Sequence, residues 1–157
     1  MAVQPDDDDF QSAFWNAKRA MMEASEAAFR RHGVRAGQQH ILRVLWRDDC
    51  LSPGQIARLL ELTTATVSKM TSRMQATGLV ERRPHPSDRR LVRVCLTERG
   101  RALEEVIGEE MQRVTEHALG TLGPRQRRQL VRYLGEIRRN LEAATAADRR
   151  EKRRLAG

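Results

Sequence analysis

The chain has 157 residues, of which 39% are hydrophobic and 32% are charged, and its formal net charge at pH 7 is +8. This size fits one domain per subunit, and no apolar run approaches the length of a membrane span. Residues 1–9 are acidic and lack the basic and apolar segments of an export signal, so a cytoplasmic location is expected. Cys50 and Cys95 lie in unrelated sequence contexts without a CxxC pair, which favours two reduced thiols, with Cys95 as a small packing residue.

The positive charge is concentrated in two segments. Residues 52–101 contain ten Lys or Arg against four Asp or Glu, a net charge of +6, and residues 124–154 contain eleven against four, a net charge of +7. The first segment is typical of proteins that bind nucleic acid. The second is less specific, because arginine-rich helical faces are usually just solvated.

The first predicted element is a long amphipathic helix within residues 1–36. Its apolar side chains recur at alternating steps of four and three: Phe10, Phe14, Ala17, Met21, Ala24 and Ala28. Gly33 and Gly37 mark the loop that follows. Residues 39–46 are then predicted as a buried helix, with three side chains pointing inward: Ile41, Val44 and Leu45.

A short helix is predicted to begin at Ser52 and to end near Leu62. The Ser52 hydroxyl can cap the first backbone amides, and Pro53 suits the first turn. Three apolar side chains recur at helical spacing: Ile56, Leu59 and Leu60. This helix is the first of a predicted two-helix motif.

The second helix of the motif is predicted to start at Thr63 or Thr64 and to run to about Thr77, with Gly78 as its stop residue. Its apolar stripe, which should face the first helix, consists of Val67, Met70 and Met74. The opposite face carries short side chains and two cations: Thr64, Ala65, Thr66, Ser68, Lys69, Ser72 and Arg73. Such a face fits the major groove of DNA, close to base edges and phosphates. The alternative is a plain surface helix, which would more often carry Glu/Lys pairs.

A basic β-hairpin is predicted next, with strands at residues 79–83 and 91–96. Its tip holds Arg89 and Arg90 beside Asp88. The narrow minor groove attracts an inserted guanidinium, and we expect Asp88 to orient Arg89 or Arg90 by a bidentate pair. Further DNA contacts are predicted at Arg82, Arg83, His85 and Ser87. The alternative is a solvated turn whose charges only keep the chain in solution.

Two more amphipathic helices are predicted after the hairpin, separated by the Gly123-Pro124 break. Their apolar seams are Leu103, Ile107, Met111 and Val114 in one, and Leu130, Leu134, Ile137 and Leu141 in the other. A second subunit would cover these seams and place two recognition helices one DNA turn apart, about 34 Å. The alternative is a monomer that folds its long helices together.

The predicted organisation therefore has three parts. Residues 1–36 form an N-terminal dimerisation helix, and residues 37–101 form a winged helix-turn-helix lobe that binds DNA. Residues 102–157 supply the C-terminal dimerisation helices and a basic tail. The expected fold class is mainly α-helical with a small β-hairpin wing.

Three short motifs follow the second helix: Gly78-Leu79-Val80-Glu81-Arg82, Asp88-Arg89-Arg90 and Leu96-Thr97-Glu98-Arg99-Gly100. With their separations, they resemble the MarR (multiple antibiotic resistance regulator) family of bacterial transcription factors. The resemblance implies an obligate homodimer with two winged lobes on a near-palindromic operator. It also implies that Asp88 and Arg90 are wing residues, with Arg89 a second candidate for the minor groove. Many members release DNA when a small molecule, an oxidant or a metal binds.

The sequence shows no glycine-rich phosphate loop and no nucleophile motif, so enzyme activity is not expected. In the resembled family, effector pockets lie between the dimer helices and the DNA-binding lobe. The candidate effector-binding residues near such a place are Trp15, Arg19, Met22, His40 and Trp46. For the tryptophans the alternative is a role in the core. Peroxide-sensing relatives carry a cysteine near the start of the first long helix, and this chain has none there.

Zinc is an alternative effector on the same resemblance. Zinc-responsive members use a histidine that His40 matches, but their histidine pair after the wing is missing here. That region offers Glu105, Glu109 and Glu110, with His117 further on, and carboxylates hold zinc less selectively than imidazoles do. The metal candidates are His40, Glu105 and Glu109, although a hydrogen-bonded, partly buried His40 is favoured over a ligand.

Together these patterns predict a homodimeric regulator that binds double-stranded DNA at a pseudo-palindromic operator and responds to a small-molecule or metal effector. No membrane partner is expected. Two alternatives remain. An architectural DNA-binding protein would compact DNA along its length, whereas a helical adaptor for an acidic protein would not discriminate between duplex sequences.

Overall fold

The computed structural model describes residues 5–88 and 90–155, with side chains described for residues 9–88, 90–152 and 154. In these ranges the chain forms seven helices and one two-stranded sheet, which is the predicted fold class. The helices are α1 (Pro5–Arg30), α2 (Gln38–Arg47), α3 (Pro53–Leu60), α4 (Thr64–Ala76), α5 (Glu98–Ala102), α6 (Glu104–Leu119) and α7 (Pro124–Leu155). The strands are β1 (Val80–Pro84) and β2 (Val92–Leu96). No helix in the described ranges is long and apolar enough to cross a membrane.

The chain divides into two compact units, residues 1–118 and 119–157. The first unit contains α1 to α5, the hairpin and nearly all of α6. The second contains α7, which begins at Pro124 as the Gly123-Pro124 break predicts. Within this second unit, the Arg127 guanidinium donates hydrogen bonds to the carbonyls of Leu119 and Leu122 at 3.0 and 2.8 Å, and so closes the turn before α7.

The hydrophobic core of the first unit lies where α2, α3, α4 and the hairpin meet. Its fully buried members include Phe29, Ile41, Leu42, Leu45, Ile56, Val67, Met74, Leu79, Val80, Val94 and Ile107. Ile41 and Leu45 are therefore inward, as predicted, whereas Val44 is only partly buried and Leu42 takes the third inward position. In α4, Val67 and Met74 are fully buried and Met70 packs at the edge of the core.

Local capping residues set the start of both helices of the two-helix motif. The Ser52 hydroxyl accepts a hydrogen bond from the Gln55 backbone N–H at 3.2 Å, and Gln55 Oε1 accepts one from the Ser52 N–H at 2.8 Å. This reciprocal pair is a capping box. The Thr63 hydroxyl caps α4 by accepting from the Thr66 N–H at 3.2 Å. Both predicted starts are confirmed.

Gly78 ends α4 as predicted, in a left-handed conformation with φ of 71°. Its N–H donates to the Gln75 carbonyl at 3.0 Å, and the Leu79 N–H donates to the Met74 carbonyl at 2.9 Å. These two bonds form a Schellman motif, which glycine adopts without the steric cost of a Cβ. The chain then enters β1 after one residue.

The hairpin is antiparallel, with Val80 opposite Leu96 and Pro84 opposite Val92. Both strands begin one residue later than predicted. Leu91 belongs to the turn, because its N–H donates to the Asp88 carbonyl at 3.0 Å and its own carbonyl accepts from the His85 N–H at 2.8 Å. Pro84 is the last residue of β1. A two-stranded hairpin tolerates a proline, which has no N–H to donate, because one edge of each strand is unpaired.

The short helix α5, which the sequence pattern did not separate from the next helix, anchors the root of the hairpin. The Thr97 hydroxyl accepts from the Gly100 N–H at 3.0 Å and donates to the Gly78 carbonyl at 2.7 Å. A Cβ at Gly100 would overlap with the Leu79 carbonyl oxygen, so glycine is required at this position. The Trp46 indole N–H donates to the Gly100 carbonyl at 2.9 Å and connects α2 to the same point.

Cys50 and Cys95 are joined by a disulfide bond. The expectation of two reduced thiols in unrelated contexts, with Cys95 only a packing residue, is therefore wrong for this structure. The cause is a long-range contact between the α2–α3 loop and β2, where the Val94 N–H donates to the Leu51 carbonyl at 2.7 Å. This pairing places the neighbouring residues Cys50 and Cys95 side by side.

Candidate nucleic-acid interface

The predicted DNA-facing side of α4 is exposed on the surface of the first unit. Six of its seven residues are exposed and Ser68 is half-buried, whereas Val67, Thr71 and Met74 on the opposite side are fully buried. The exposed members are Thr64, Ala65, Thr66, Lys69, Ser72 and Arg73. We call the seven predicted residues the α4 face. Residues 64–76 contain no acidic side chain, so this helix carries no carboxylate to repel phosphate.

The two cations of the α4 face are available to bind anions. Within the part of the chain that the structure describes, neither Lys69 nor Arg73 makes an ion pair with a carboxylate. The hydroxyls around them have local partners: Thr66 Oγ1 lies 2.8 Å from Thr63 Oγ1, and the Ser72 hydroxyl donates to the Ser68 carbonyl at 2.8 Å. Short hydroxyls of this kind can exchange such partners for base edges.

Arg82 connects the hairpin to α4, a contact that sequence reasoning missed. Its Nη2 donates to the Ser72 hydroxyl at 2.8 Å and to the Ser68 carbonyl at 3.3 Å. Arg82 therefore holds β1 against the α4 face. Its predicted contact with phosphate stays a prediction. No signal in the local sequence could have found this bond, because it depends on the turn at Gly78.

The tip of the hairpin brings Asp88 and Arg90 together. Asp88 Oδ1 accepts hydrogen bonds from the Arg90 backbone N–H at 3.0 Å and from Arg90 Nε at 3.3 Å. The expectation that Asp88 pairs with Arg90 therefore agrees with the structure. The expected bidentate geometry does not, because the pair uses one carboxylate oxygen and one side-chain nitrogen. The Arg90 side chain is 92% exposed, so its guanidinium projects into solvent. Arg89 lies outside the described residues.

The other predicted hairpin contacts have partners within the hairpin. His85 Nδ1 lies 2.8 Å from the Ser87 hydroxyl and accepts from the Ser87 backbone N–H at 3.3 Å, which fixes the turn. Arg83 forms an ion pair with Glu81 on the same strand. Glu81 therefore offsets part of the Arg83 charge, and the predicted phosphate contact of Arg83 stays a prediction.

Three of the effector candidates lie on α1. Trp15 is 64% exposed, and the Lys18 ammonium lies 5.7 Å from the centre of its ring. Arg19 forms an ion pair with Glu23 at 2.9 Å. Met22 is exposed and lines a shallow hollow on the first unit. The effector role of these residues stays a prediction.

The other two candidates lie on α2. Trp46 is half-buried, and its indole N–H is already bound to the Gly100 carbonyl. His40 is exposed, so the expectation of a partly buried residue is wrong, although its Nε2 does lie 3.3 Å from Gln39 Nε2. Partial desolvation of the imidazole lowers the pKa of His40, and the nearby Arg43 charge lowers it further.

The metal candidates do not converge. Glu105 and Glu109 are exposed on α6. Over residues 5–88 and 90–155, no cluster of three potential ligands contains His40, Glu105 or Glu109. The cluster that is present consists of Asp49, Cys50 and Cys95, and its two sulfur atoms are bonded to each other.

Glu110, which the sequence offered only as one of the carboxylates that could hold zinc, is buried and connects α6 to the end of α1. Glu110 is 4% exposed and forms ion pairs with Arg31 and Arg113, and its Oε1 lies 3.7 Å from His32 Nε2. The hydrogen bond from Arg31 holds the pKa of Glu110 below its ordinary value, and the charge of Arg113 adds to this effect. The only signal in the sequence was a glutamate at a helical position close to Ile107 and Met111.

Residues 35–92, which include α2, α3, α4, β1 and the tip of the hairpin, match the model of the MarR family. This central part of the chain is therefore similar to the MarR family. Members of this family are transcription regulators and not enzymes. The matched range covers the α4 face and the Asp88–Arg90 pair, so the family match concerns the same surface that the geometry singles out.

Several transcriptional regulators are similar to this chain in sequence or in fold. YdgJ of Bacillus subtilis (strain 168), named as an HTH-type transcriptional regulator, is 27% identical over 109 residues, which are 69% of this chain and 66% of YdgJ. The crystal structure of the transcriptional regulator SlyA matches with a TM-score of 0.73 and 24% identity, covering 85% of this chain and 94% of SlyA. A mutant MarR from E. coli in complex with operator DNA matches with a TM-score of 0.72 and 21% identity, covering 81% and 91%. At these identities the two structures establish the winged-helix fold.

Proposed function

We propose that this chain is a MarR-type transcriptional regulator that binds double-stranded DNA sequence-specifically as a homodimer on a pseudo-palindromic operator. One observation carries the proposal. The α4 face is largely exposed, lacks carboxylates and holds two cations, Lys69 and Arg73, that pair with no carboxylate in the described part of the chain. It lies beside a hairpin whose tip exposes Arg90. The E. coli MarR relative was solved in complex with operator DNA, which supports the same partner for this chain.

The α4 face supplies the major-groove contacts in this proposal. Residues near the start of a recognition helix contact base edges, so Thr64, Ala65, Thr66 and Ser68 select the sequence. Lys69 and Arg73, which are free of ion pairs with described carboxylates, neutralise phosphates on either side. Ser72 is held by Arg82, and the pair fixes the angle between α4 and the hairpin.

The wing supplies the minor-groove contact. Asp88 restrains both the backbone and the Nε of Arg90, so the guanidinium is oriented before DNA arrives. A preoriented cation at a narrow groove gains from the concentrated negative potential there. Arg89 is assigned the same role from the sequence alone.

A second copy of the chain covers the exposed apolar faces. In the first unit, Phe10, Phe14 and Met21 of α1 remain 44%, 42% and 44% exposed. In the second unit, Val131, Leu134 and Leu141 of α7 remain 67%, 46% and 64% exposed. Faces of this kind mark an interaction site, and two-fold symmetry would give two α4 faces one DNA turn apart. The dimer acts in the bacterial cytoplasm, where a small-molecule effector changes its affinity for the operator.

Selection of duplexes from genomic fragments, followed by fluorescence anisotropy on the selected duplex, tests the proposal. We expect one dimer on a site of about 20 base pairs and at least tenfold weaker binding to scrambled duplexes. Arg90→Ala should weaken binding to all duplexes by about tenfold, because the wing contact carries no base code. The matched control Arg47→Ala removes one exposed cation from α2 and should change affinity by less than about twofold.

Three outcomes would contradict the proposal. Unchanged affinity of Arg90→Ala for DNA would show that Arg90 of the wing does not contact DNA. Binding that coats DNA without sequence preference would identify an architectural protein, and the absence of duplex binding would leave a protein-interaction adaptor.

A further inference from the structure

The Cys50–Cys95 disulfide closes a covalent ring around the DNA-binding elements. The two cysteines are 45 residues apart, and the chain between them forms α3, α4, β1 and the tip of the hairpin. All proposed DNA contacts, in residues 64–73 and 82–90, lie inside this ring. A single bond at its base can therefore restrain the whole reading surface.

The backbone at Cys50 is held in a conformation that a cysteine rarely adopts. Its φ is 61°, in the left-handed region where a Cβ is unfavourable. Glycine or asparagine would occupy this position at lower cost. The cysteine that stands here has its sulfur bonded to Cys95 of β2.

The two segments stay aligned independently of the bond between the sulfurs. Leu51 accepts a hydrogen bond from the Val94 N–H at 2.7 Å on one side of the cysteine pair. On the other side, Asp49 Oδ1 accepts from the Leu96 N–H at 2.8 Å, and Asp49 Oδ2 pairs with Arg101 at 3.0 Å. Reduced thiols would therefore remain close to each other, and the disulfide can open and form again without unfolding.

The same three residues could also be considered as a metal site, but the carboxylate is already in use. Both oxygens of Asp49 are occupied, by Arg101 and by the backbone N–H groups of Cys50 and Leu96. A metal ion would have to displace the arginine and at least one of these hydrogen bonds. The observations favour a dithiol–disulfide pair.

We propose that Cys50 and Cys95 form a reversible redox site, and that the disulfide strengthens DNA binding by fixing the wing relative to α4. This inference rests on the proposed function, because a regulator that acts on chromosomal DNA works where small thiols keep most cysteines reduced. The oxidised ring is preorganised for the operator. The reduced ring loses one of the restraints at the base of the hairpin and binds less tightly.

The chemistry is thiol–disulfide exchange with a low-molecular-weight thiol such as glutathione. Cys50 is partly exposed and Cys95 is fully buried, so the small thiolate attacks the Cys50 sulfur and releases Cys95 as a thiolate, which takes up a proton. A second small thiol then attacks the mixed disulfide, and Cys50 becomes a thiol. The protein pair gains two electrons and two protons, and two small thiols become one small disulfide. The reverse reaction oxidises the pair.

Equilibration of the full-length protein in mixtures of reduced and oxidised glutathione tests this inference. Mass spectrometry after alkylation reports the fraction of the disulfide, and anisotropy on the selected operator duplex reports affinity. We expect the reduced protein to bind the operator about five- to tenfold more weakly and to melt roughly 10 °C lower, because a 45-residue loop is no longer closed. Cys50→Gly suits the positive φ and removes the sulfur, so it should match the operator affinity of the reduced protein and lose all redox dependence.

The outcomes separate this inference from the function on which it rests. Equal operator affinity of the oxidised and reduced protein overturns the redox site alone. Stoichiometric binding of Zn²⁺ by the reduced protein, with thiols that stay reduced in oxidised glutathione, also overturns it and identifies a metal site. Absence of sequence-specific binding in both redox states overturns the proposed function instead.

Discussion

The winged lobe and helix α7 differ in how far their apolar side chains are exposed to solvent. In the lobe, Ile41, Leu42 and Leu45 of α2 are at most 1% exposed. In α7, Val131 and Leu141 are more than 60% exposed, although α7 has the same kind of helical apolar spacing. The lobe completes its own core within one chain, whereas α7 has an apolar face that a single chain leaves uncovered. Apolar periodicity alone therefore does not tell whether the partner of a helix lies in the same chain.

This difference separates two tasks. The lobe must hold the α4 face and the wing at a fixed angle, which requires dense packing and close backbone contacts. The long helices join two lobes under our proposal, which requires a face left open for a second copy. The predictions below test each side of the comparison, beginning with the largest effect.

Gly100→Ala should break the self-contained lobe. A Cβ at this position overlaps with the Leu79 carbonyl oxygen, so the root of the hairpin must shift. We expect the free energy of unfolding to fall by about 3 kcal/mol, measured by urea denaturation. Gly108→Ala on α6 is the control, because a Cβ there meets nothing within 4 Å and should stabilise the helix by about 0.5–1 kcal/mol. Equal effects of the two substitutions would show that the close contact at Gly100 does not stabilise the root of the hairpin.

Leu134→Ala combined with Leu141→Ala should weaken dimerisation and leave the lobe folded. The two side chains are 46% and 64% exposed in one chain. They would be buried only when a second copy binds, so they stabilise the dimer and not the single chain. We expect the dimer dissociation constant to rise roughly thirtyfold, about 2 kcal/mol, in sedimentation velocity over a dilution series. Asn140→Ala, an exposed polar position on the same helix, should leave the constant unchanged. A monomeric wild-type protein would contradict the role given to α7.

Lys69→Ala should reduce the salt dependence of operator binding without changing operator preference. Lys69 is exposed and pairs with no described carboxylate, so each phosphate contact that it makes releases about one counterion. The slope of log K against log salt should become shallower by about one, as measured by anisotropy at several salt concentrations. Thr66→Ala is the comparison, because it should change the preferred operator and leave the slope unaltered. If both substitutions leave slope and preference unchanged, the α4 face does not contact DNA.

Glu110→Gln should lower stability in a pH-dependent way, with the smallest effect of the four. The pKa of Glu110 is lowered in the folded protein, so its stabilisation is present above the ordinary glutamate value and is lost as pH falls through the lowered pKa. Thermal unfolding should show a deficit at pH 7 that disappears as the pH falls through the lowered pKa of Glu110. Arg31 and Arg113 are more than half exposed, so solvent screens the pairs and keeps the effect small. Glu109→Gln is the control, and a deficit of equal size at all pH values would contradict this assignment.

Local signals in the sequence were sufficient for the elements that carry the site. Ser52 and Thr63 start α3 and α4, Gly78 ends α4, and the exposed side of α4 is the side that the spacing predicts. Each of these features depends on residues within one or two helical turns. The position of Asp88 beside Arg90 is equally local and was also predicted, apart from the number of oxygens involved.

Contacts between residues far apart in the chain could not be predicted in the same way. The disulfide between Cys50 and Cys95, the bond from Arg82 to Ser72 and the burial of Glu110 all depend on how the elements pack. The exposure of His40 has the same origin, since α2 buries the two glutamines before it instead. Residue type and spacing describe a helix, but they do not report which of its polar residues the rest of the fold covers.

Methylation protection by dimethyl sulfate on the selected operator tests the central claim most directly, because the reagent modifies guanine N7 in the major groove and adenine N3 in the minor groove. If two α4 faces read DNA, N7 protection should appear in two clusters centred about one helical turn, 10 to 10.5 base pairs, apart. Adenine N3 protection by the wings should flank them, and it should be lost in Arg90→Ala. Protection confined to the minor groove, or a single N7 cluster in the wild-type complex, would contradict major-groove reading by the α4 face of a dimer.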